Sequence, residues 1–84
     1  MTMVDVTLIG PMAEAAGTRK TEAGAATVGE LVEVLATRYG PLFKQRAKGA
    51  RIVLNGTPVQ FRRGHKTSLF DGDEVAFLYP IGGG

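Results

Sequence analysis

One segment constrains the fold more than any other. Thr27-Val28-Gly29-Glu30 has the spacing of a capping box, in which a threonine hydroxyl accepts the N–H three residues on and a glutamate reaches back. Val28, Leu31, Val32, Leu35 and Tyr39 then recur at helical spacing on one face, with Glu30, Glu33 and Thr37 opposite. Gly40 suits the left-handed residue after a helix, and Pro41 forbids continuation of the same helix. The spacing predicts a helix over about 28–39 with one buried stripe. Such a helix needs a second layer to cover that stripe, and 84 residues leave room for one modest core and one domain.

Short strands supply the second layer. Val4, Val6 and Leu8 alternate with Asp5 and Thr7, which predicts a strand over about 3–10 with Ile9 on its polar side. Gly10-Pro11 ends it, and Met12 to Ala16 read as a short helical turn closed by Gly17. Residues 18–24 alternate polar side chains and read as an edge strand returning as a hairpin. Leu42 and Phe43 are both expected to plug the core. Arg51 to Leu54 read as a strand that turns at Asn55-Gly56, a strong hairpin pair, into a short return over 57–60. A basic loop over 61–68, the apolar anchor Leu69 and the turn Asp71-Gly72-Asp73 follow. The last strand, 74–79, sets Val75 and Phe77 on one face and Ala76 and Leu78 on the other. This order predicts an α+β domain, a mixed sheet of four to five strands packed on one main helix. First and last strands, both apolar, are expected to be central neighbours. If they pair in parallel, the chain leaves from the middle of the sheet, and Ile9 and Leu78 form an apolar patch beside that exit. Exposed apolar patches mark partner surfaces, so both residues are expected to contact partners.

Composition removes several chemistries. The chain has no cysteine, so disulfides, thiolate catalysis and cysteine-based metal sites are excluded together. A hydrophobic fraction of 44% with 21% charged residues is ordinary for a globular protein. No secretory signal or membrane-length apolar run is visible, and a cytoplasmic location is expected. Basic residues gather at Lys44, Arg46, Lys48 and Arg51 and again at Arg62, Arg63, His65 and Lys66. Without aromatic residues interleaved as a stacking platform they read as solvated surface, and neither nucleic acid nor membrane is expected as a partner. His65 is the only histidine and reads as a loop residue, so no Ser/His/Asp set recommends itself. Asp71, Asp73 and Glu74 span too little chain for a calcium loop and read as a turn with Gly72 at positive φ.

The chain ends Tyr79-Pro80-Ile81-Gly82-Gly83-Gly84, which divides it into a domain over 1–78 and a tail over 79–84. Two readings stand for these glycines, a trailing end and a reactive tail. Glycine has no side chain, so such a tail is slim enough for a narrow enzyme tunnel, and Pro80 stiffens its base. Six residues reach about 20 Å at full stretch. The last functional group is the α-carboxylate of Gly84, a poor electrophile until a partner adenylates it with ATP. A sulfur nucleophile would then leave a thiocarboxylate, and an amine an isopeptide bond.

Asp71-Gly72-Asp73-Glu74-Val75-Ala76-Phe77, running into Leu78-Tyr79-Pro80-Ile81-Gly82-Gly83-Gly84, resembles the closing stretch of the ubiquitin-like β-grasp sulfur carriers of the MoaD/ThiS family. Within them the chain is most similar to the molybdopterin synthase small subunit. The Asn55-Gly56 hairpin and Gly17 also fit, and the resemblance spans nearly the whole chain. Tyr79 departs from it where a proline is common, and Gly82 extends the terminal pair to three; neither touches the terminal Gly-Gly, and both are expected to bear on partner choice. The resemblance implies a ubiquitin-like fold and a carrier that is not itself a complete enzyme. It implies an E1-like adenylating enzyme of the MoeB/ThiF type acting on Gly84, with ATP used by that enzyme and no cofactor bound here. It further implies a sulfur donor protein and a large synthase subunit of the MoaE type. The tail, Pro80 to Gly84, would deliver sulfur there to a pterin precursor of the molybdenum or tungsten cofactor. Leu78, Ile9 and Tyr79 would contact these partners. Thiamine or another sulfur product, or protein modification through Gly84, are the alternatives.

Overall fold

The computed structural model describes residues 2–79. The chain runs β1 (Met3–Leu8), α1 (Pro11–Ala16), β2 (Lys20–Gly24), α2 (Val28–Tyr39), α3 (Pro41–Ala47), β3 (Arg51–Leu54) and β4 (Thr57–Pro58). Two short 3-10 turns follow, Val59–Phe61 and Gly64–Lys66, and then β5 (Glu74–Leu78). The five strands form one sheet in the order β2-β1-β5-β3-β4. β1 and β5 pair in parallel, with Val6 opposite Val75 and Leu8 opposite Phe77, and the other pairings are antiparallel. First and last strands are therefore neighbours, and β5 lies in the middle of the sheet.

The helix starts as its sequence dictates, with Thr27 Oγ1 accepting the Glu30 N–H at 3.2 Å. Val28, Leu31 and Leu35 are wholly buried against Val4, Val6, Leu8, Leu54, Val75 and Phe77, the inward residues of three adjacent strands. Each such side chain contributes about 1.5–3 kcal/mol relative to exposure. Gly29, in the first helical turn, has a packing reason. A Cβ there would come within 3.2 Å of the His65 carbonyl oxygen, because the second 3-10 turn crosses the start of α2.

Several local expectations are corrected. Pro41 ends α2 but also opens α3, standing at the first helical position, where its missing N–H costs nothing. The new helix rotates its two apolar residues apart. Phe43 is fully buried, its ring tilted against those of Tyr39 and Phe77 with centroids 5.5 and 5.9 Å away, whereas Leu42 points outward at 48% exposure. The return strand stops at Pro58 because Val59 turns inward to begin the first 3-10 turn, and the expected basic loop is largely these two turns. The last strand ends at Leu78 rather than Tyr79.

The turns that frame the sheet behave as their residues require. Asn55 and Gly56 both adopt positive φ, 49° and 87°, as a tight hairpin between twisted strands demands. Gly72 likewise sits at 87°.

Candidate functional site

Strand β5 carries the chain to the tail, so its final residues set the candidate site. The Ile9 N–H donates to the Phe77 carbonyl at 3.0 Å, extending the β1–β5 pairing one residue beyond Leu8. That bond brings Ile9 alongside Leu78. Because Leu8 and Phe77 face the core, strand alternation turns Ile9 and Leu78 to the opposite, open face. Ile9 is 49% exposed and Leu78 half-buried, with Arg51 of β3 directly across from Leu78. The expected patch exists, and its position relative to β5 is the expected one.

The open face continues away from this patch through a half-buried row of Thr7, Ala76 and Val53, joined in register across three strands. Beyond it lie exposed carboxylates: Asp5 pairs with Glu22 of β2 on one side and Glu74 of β5 on the other. Like charges set opposite each other destabilise a sheet, by about 0.2–1 kcal/mol per pair. The face therefore has a polarity, acidic at one end and apolar at the other, with Arg51 across from Leu78 and Lys20 across from Thr7 in the row between. The buried residues of α1, α2 and α3 all join the core on the other side of the sheet.

Tyr79 sits differently from Ile9 and Leu78. Its ring packs on the core, and its hydroxyl donates to the Arg46 carbonyl in the last turn of α3 at 2.6 Å. Gly49 lies close by; a Cβ there would stand 3.8 Å from the hydroxyl, in ordinary contact. Arg46 in turn donates from Nη1 to the Pro11 carbonyl at 2.6 Å, with Glu14 3.8 Å away. The residue that begins the tail in the sequence division is thus tied to α3, and through Arg46 to α1. Sequence reasoning missed Arg46 in this role. The acceptor is a backbone carbonyl, which any residue carries, and the helix presenting it was not foreseen.

The acidic turn is structural. Asp73 accepts from Asn55 Nδ2 at 3.1 Å and from the Phe70 N–H at 2.8 Å, Asn55 Oδ1 accepts the Glu74 N–H, and Asp71 accepts the Met3 N–H. These carboxylates fasten the hairpin and the start of β1 to the turn before β5. Among the described residues no cluster of His, Asp and Glu is arranged to hold a metal ion, and no helix is long and apolar enough to cross a membrane. His65 is exposed on the second 3-10 turn. Pro80, Ile81, Gly82, Gly83 and Gly84, the residues of the tail, lie outside the described residues.

The ThiS family model matches residues 6–84. Among solved structures, small archaeal modifier protein 1 (SAMP1) from Methanosarcina acetivorans is 28% identical with a TM-score of 0.89, the match covering 100% of this chain and 98% of that one. A chain of the BexX/CysO complex from Amycolatopsis orientalis is 26% identical, TM-score 0.81, over 96% of this chain and 99% of its own. A chain of the complex of subunits 1 and 2 of the molybdopterin-converting factor from Helicobacter pylori is 26% identical, TM-score 0.73, over 99% and 100%. No curated protein matches the sequence. With these neighbours, the mixed five-stranded sheet and its helices are the ubiquitin-like β-grasp expected from the sequence.

Proposed function

This chain belongs to the ThiS family, and on that footing we propose that it is a sulfur carrier whose working group is the terminal carboxylate of Gly84. The observation that carries the reading is the place of β5. It runs between β1 and β3 in the centre of the sheet and ends beside the uncovered Ile9–Leu78 patch, directly before Tyr79-Pro80-Ile81-Gly82-Gly83-Gly84. A partner seated on the patch would meet the tail at its root.

The chemistry divides between the chain and its partners. A carboxylate oxygen of Gly84 attacks the α-phosphorus of ATP on an E1-like enzyme, and pyrophosphate leaves. A persulfide sulfur on a donor protein attacks the acyl carbon of the adenylate, and AMP leaves. A thiol then attacks the donor's sulfur in the acyl disulfide, forming a disulfide with the donor and leaving the thiocarboxylate on Gly84. This chain contributes the carboxylate, a slim arm and a docking face, while ATP is held by the activating enzyme. Similarity to a chain of the H. pylori molybdopterin-converting factor complex supports delivery to a pterin precursor, with a large subunit supplying the remaining catalytic groups. The polarity of the open sheet face supports a single docking orientation, with basic partner groups over Asp5, Glu22 and Glu74 and apolar ones over Leu78.

A second reading, conjugation of Gly84 to lysine amines, is favoured by similarity to a small archaeal modifier protein. Intact-mass analysis from the native host separates the two. Sulfur carriage predicts an oxygen-to-sulfur mass gain that maps to Gly84 and is captured by a thiol alkylating reagent. It also predicts loss of molybdenum-cofactor-dependent activity when Gly84 is deleted. Glycyl-glycine remnants on lysines without a thiocarboxylate would establish the modifier. A Gly84 deletion with full activity would overturn terminal chemistry altogether.

A further inference from the structure

Two phenylalanines stand in solvent at the far end of the domain. Phe61 is 73% exposed and Phe70 69%, more than any other large apolar side chain described. Arg62 and Arg63 follow Phe61 directly, and Phe70 lines a shallow depression with Arg62, Arg63, Thr67 and Ser68. A basic stretch reads as mere solvated surface when no aromatics accompany it, and the exposed rings remove that ground here. Leaving each ring in water forgoes about 1.5–3 kcal/mol of burial.

The segment that presents them is firmly held. The Arg62 N–H bonds the Val59 carbonyl, the Arg63 N–H bonds the buried Thr67 hydroxyl, and the Thr67 N–H bonds the Gly64 carbonyl. Leu69 N–H to Ala26, and Val28 N–H to Thr67, fix the segment to the start of α2, and Asp73 holds the Phe70 N–H. A backbone so tied has little ordering entropy left to lose on binding, the condition under which exposed aromatic and arginine side chains act as interface anchors. Phe70 stands just before β5, whose five residues put about 13 Å between that end of the strand and Leu78 at the other.

We propose that Phe61, Phe70 and the guanidinium groups of Arg62 and Arg63 form a second docking surface, and that it takes a protein segment alternating carboxylate and aliphatic side chains. The charge argues for such an occupant. Residues 56–70 contain Arg62, Arg63, His65 and Lys66 and no Asp or Glu. The same charge map argues against a nucleic-acid strand. Asp71, Asp73 and Glu74 follow Phe70 at once, and Glu74 continues into the row with Asp5 and Glu22. A phosphate backbone needs an extended basic track, and on that side it would run onto carboxylates. A short acidic peptide segment ends before them. The surface lies beyond the end of β5 opposite to Leu78, and the inference does not depend on chemistry at Gly84.

The test is a titration of the intact, isotope-labelled chain with a short peptide alternating glutamate and leucine, followed by amide NMR shifts. A glutamine-for-glutamate peptide and a single-stranded oligothymidylate are run beside it. The acidic peptide is expected to bind saturably with shifts confined to about residues 59–70, and the glutamine peptide much more weakly. The paired variant Phe61→Ser/Phe70→Ser, which removes only exposed rings, is expected to lower affinity on the order of tenfold. Leu78→Asp and a Gly84 deletion are expected to leave the affinity unchanged. No binding, shifts at Ile9 and Leu78 instead, an unaffected paired variant, or tighter binding of the oligothymidylate would each overturn the proposal.

Discussion

The bond from Tyr79 to Arg46 gives the sharpest test of how the last strand is secured. Tyr79→Phe keeps the ring and deletes only the hydroxyl that donates to the Arg46 carbonyl at 2.6 Å. The acceptor is not orphaned, because the N–H groups of Lys48 and Gly49 also bond that carbonyl. The loss is therefore that of one net hydrogen bond, about 0.5–1.5 kcal/mol, without the penalty for an unsatisfied buried group. In a domain of this size that is a fall in melting temperature of about 4–8 °C per kcal/mol. Tyr79→Ala also strips the ring from the core edge and is expected to cost more, about 2–4 kcal/mol. Urea unfolding of the three proteins at a common slope measures both steps. Equal stability of wild type and Tyr79→Phe would refute the bond, and equal losses in the two variants would refute the division into bond and ring.

The geometry sets two further outcomes. Asp73→Ala removes the acceptor for both Asn55 Nδ2 and the Phe70 N–H. Hydrogen bonds to a carboxylate are the stronger kind, though this one is exposed, so a loss of about 1–3 kcal/mol in urea unfolding is expected, with Asp73→Asn recovering part of it. Leu78→Asp sets a carboxylate opposite Arg51 on an open face, so the fold is expected to survive. Affinity for the host's adenylating enzyme is then expected to fall on the order of tenfold or more by calorimetry, and an unchanged affinity would remove Leu78 from the interface.

Much of the architecture was legible because it rests on local signals. The cap at Thr27, the stripe Val28-Leu31-Leu35, the turn residues Asn55-Gly56 and the alternation in β1 and β5 each act within a few residues. The features that escaped depend on contacts distant in sequence or on a rule with two outcomes. Pro41 stops one helix and starts another with the same missing N–H, and only the packing of Phe43 between Tyr39 and Phe77 selects a second helix after it. The basic stretch hid its exposed phenylalanines because exposure is a property of the surrounding chain: Leu69 joins the core, its N–H held by the Ala26 carbonyl just before α2, and its neighbour Phe70 does not. Arg46 escaped for a third reason, since a backbone acceptor leaves no trace in residue type. The tail itself was legible only as residues.

The patch at the tail root and the hydrophobic core are consequences of one register. Leu8 opposite Phe77 puts both side chains into the core, and the same parallel pairing then leaves Ile9 beside Leu78 on the other face. A slip of β5 by one residue would expose Phe77 and Val75 while burying Leu78 and Ala76, inverting core and patch together. The core thus enforces the geometry of the open face, since Phe77 is fully buried and packed at a tilt against Phe43. Tyr79 extends that control one residue further by fastening the chain to α3 after the strand has ended. In this arrangement the stability of the domain fixes where Leu78 and Tyr79 stand, which is what the proposed carrier role requires of the domain.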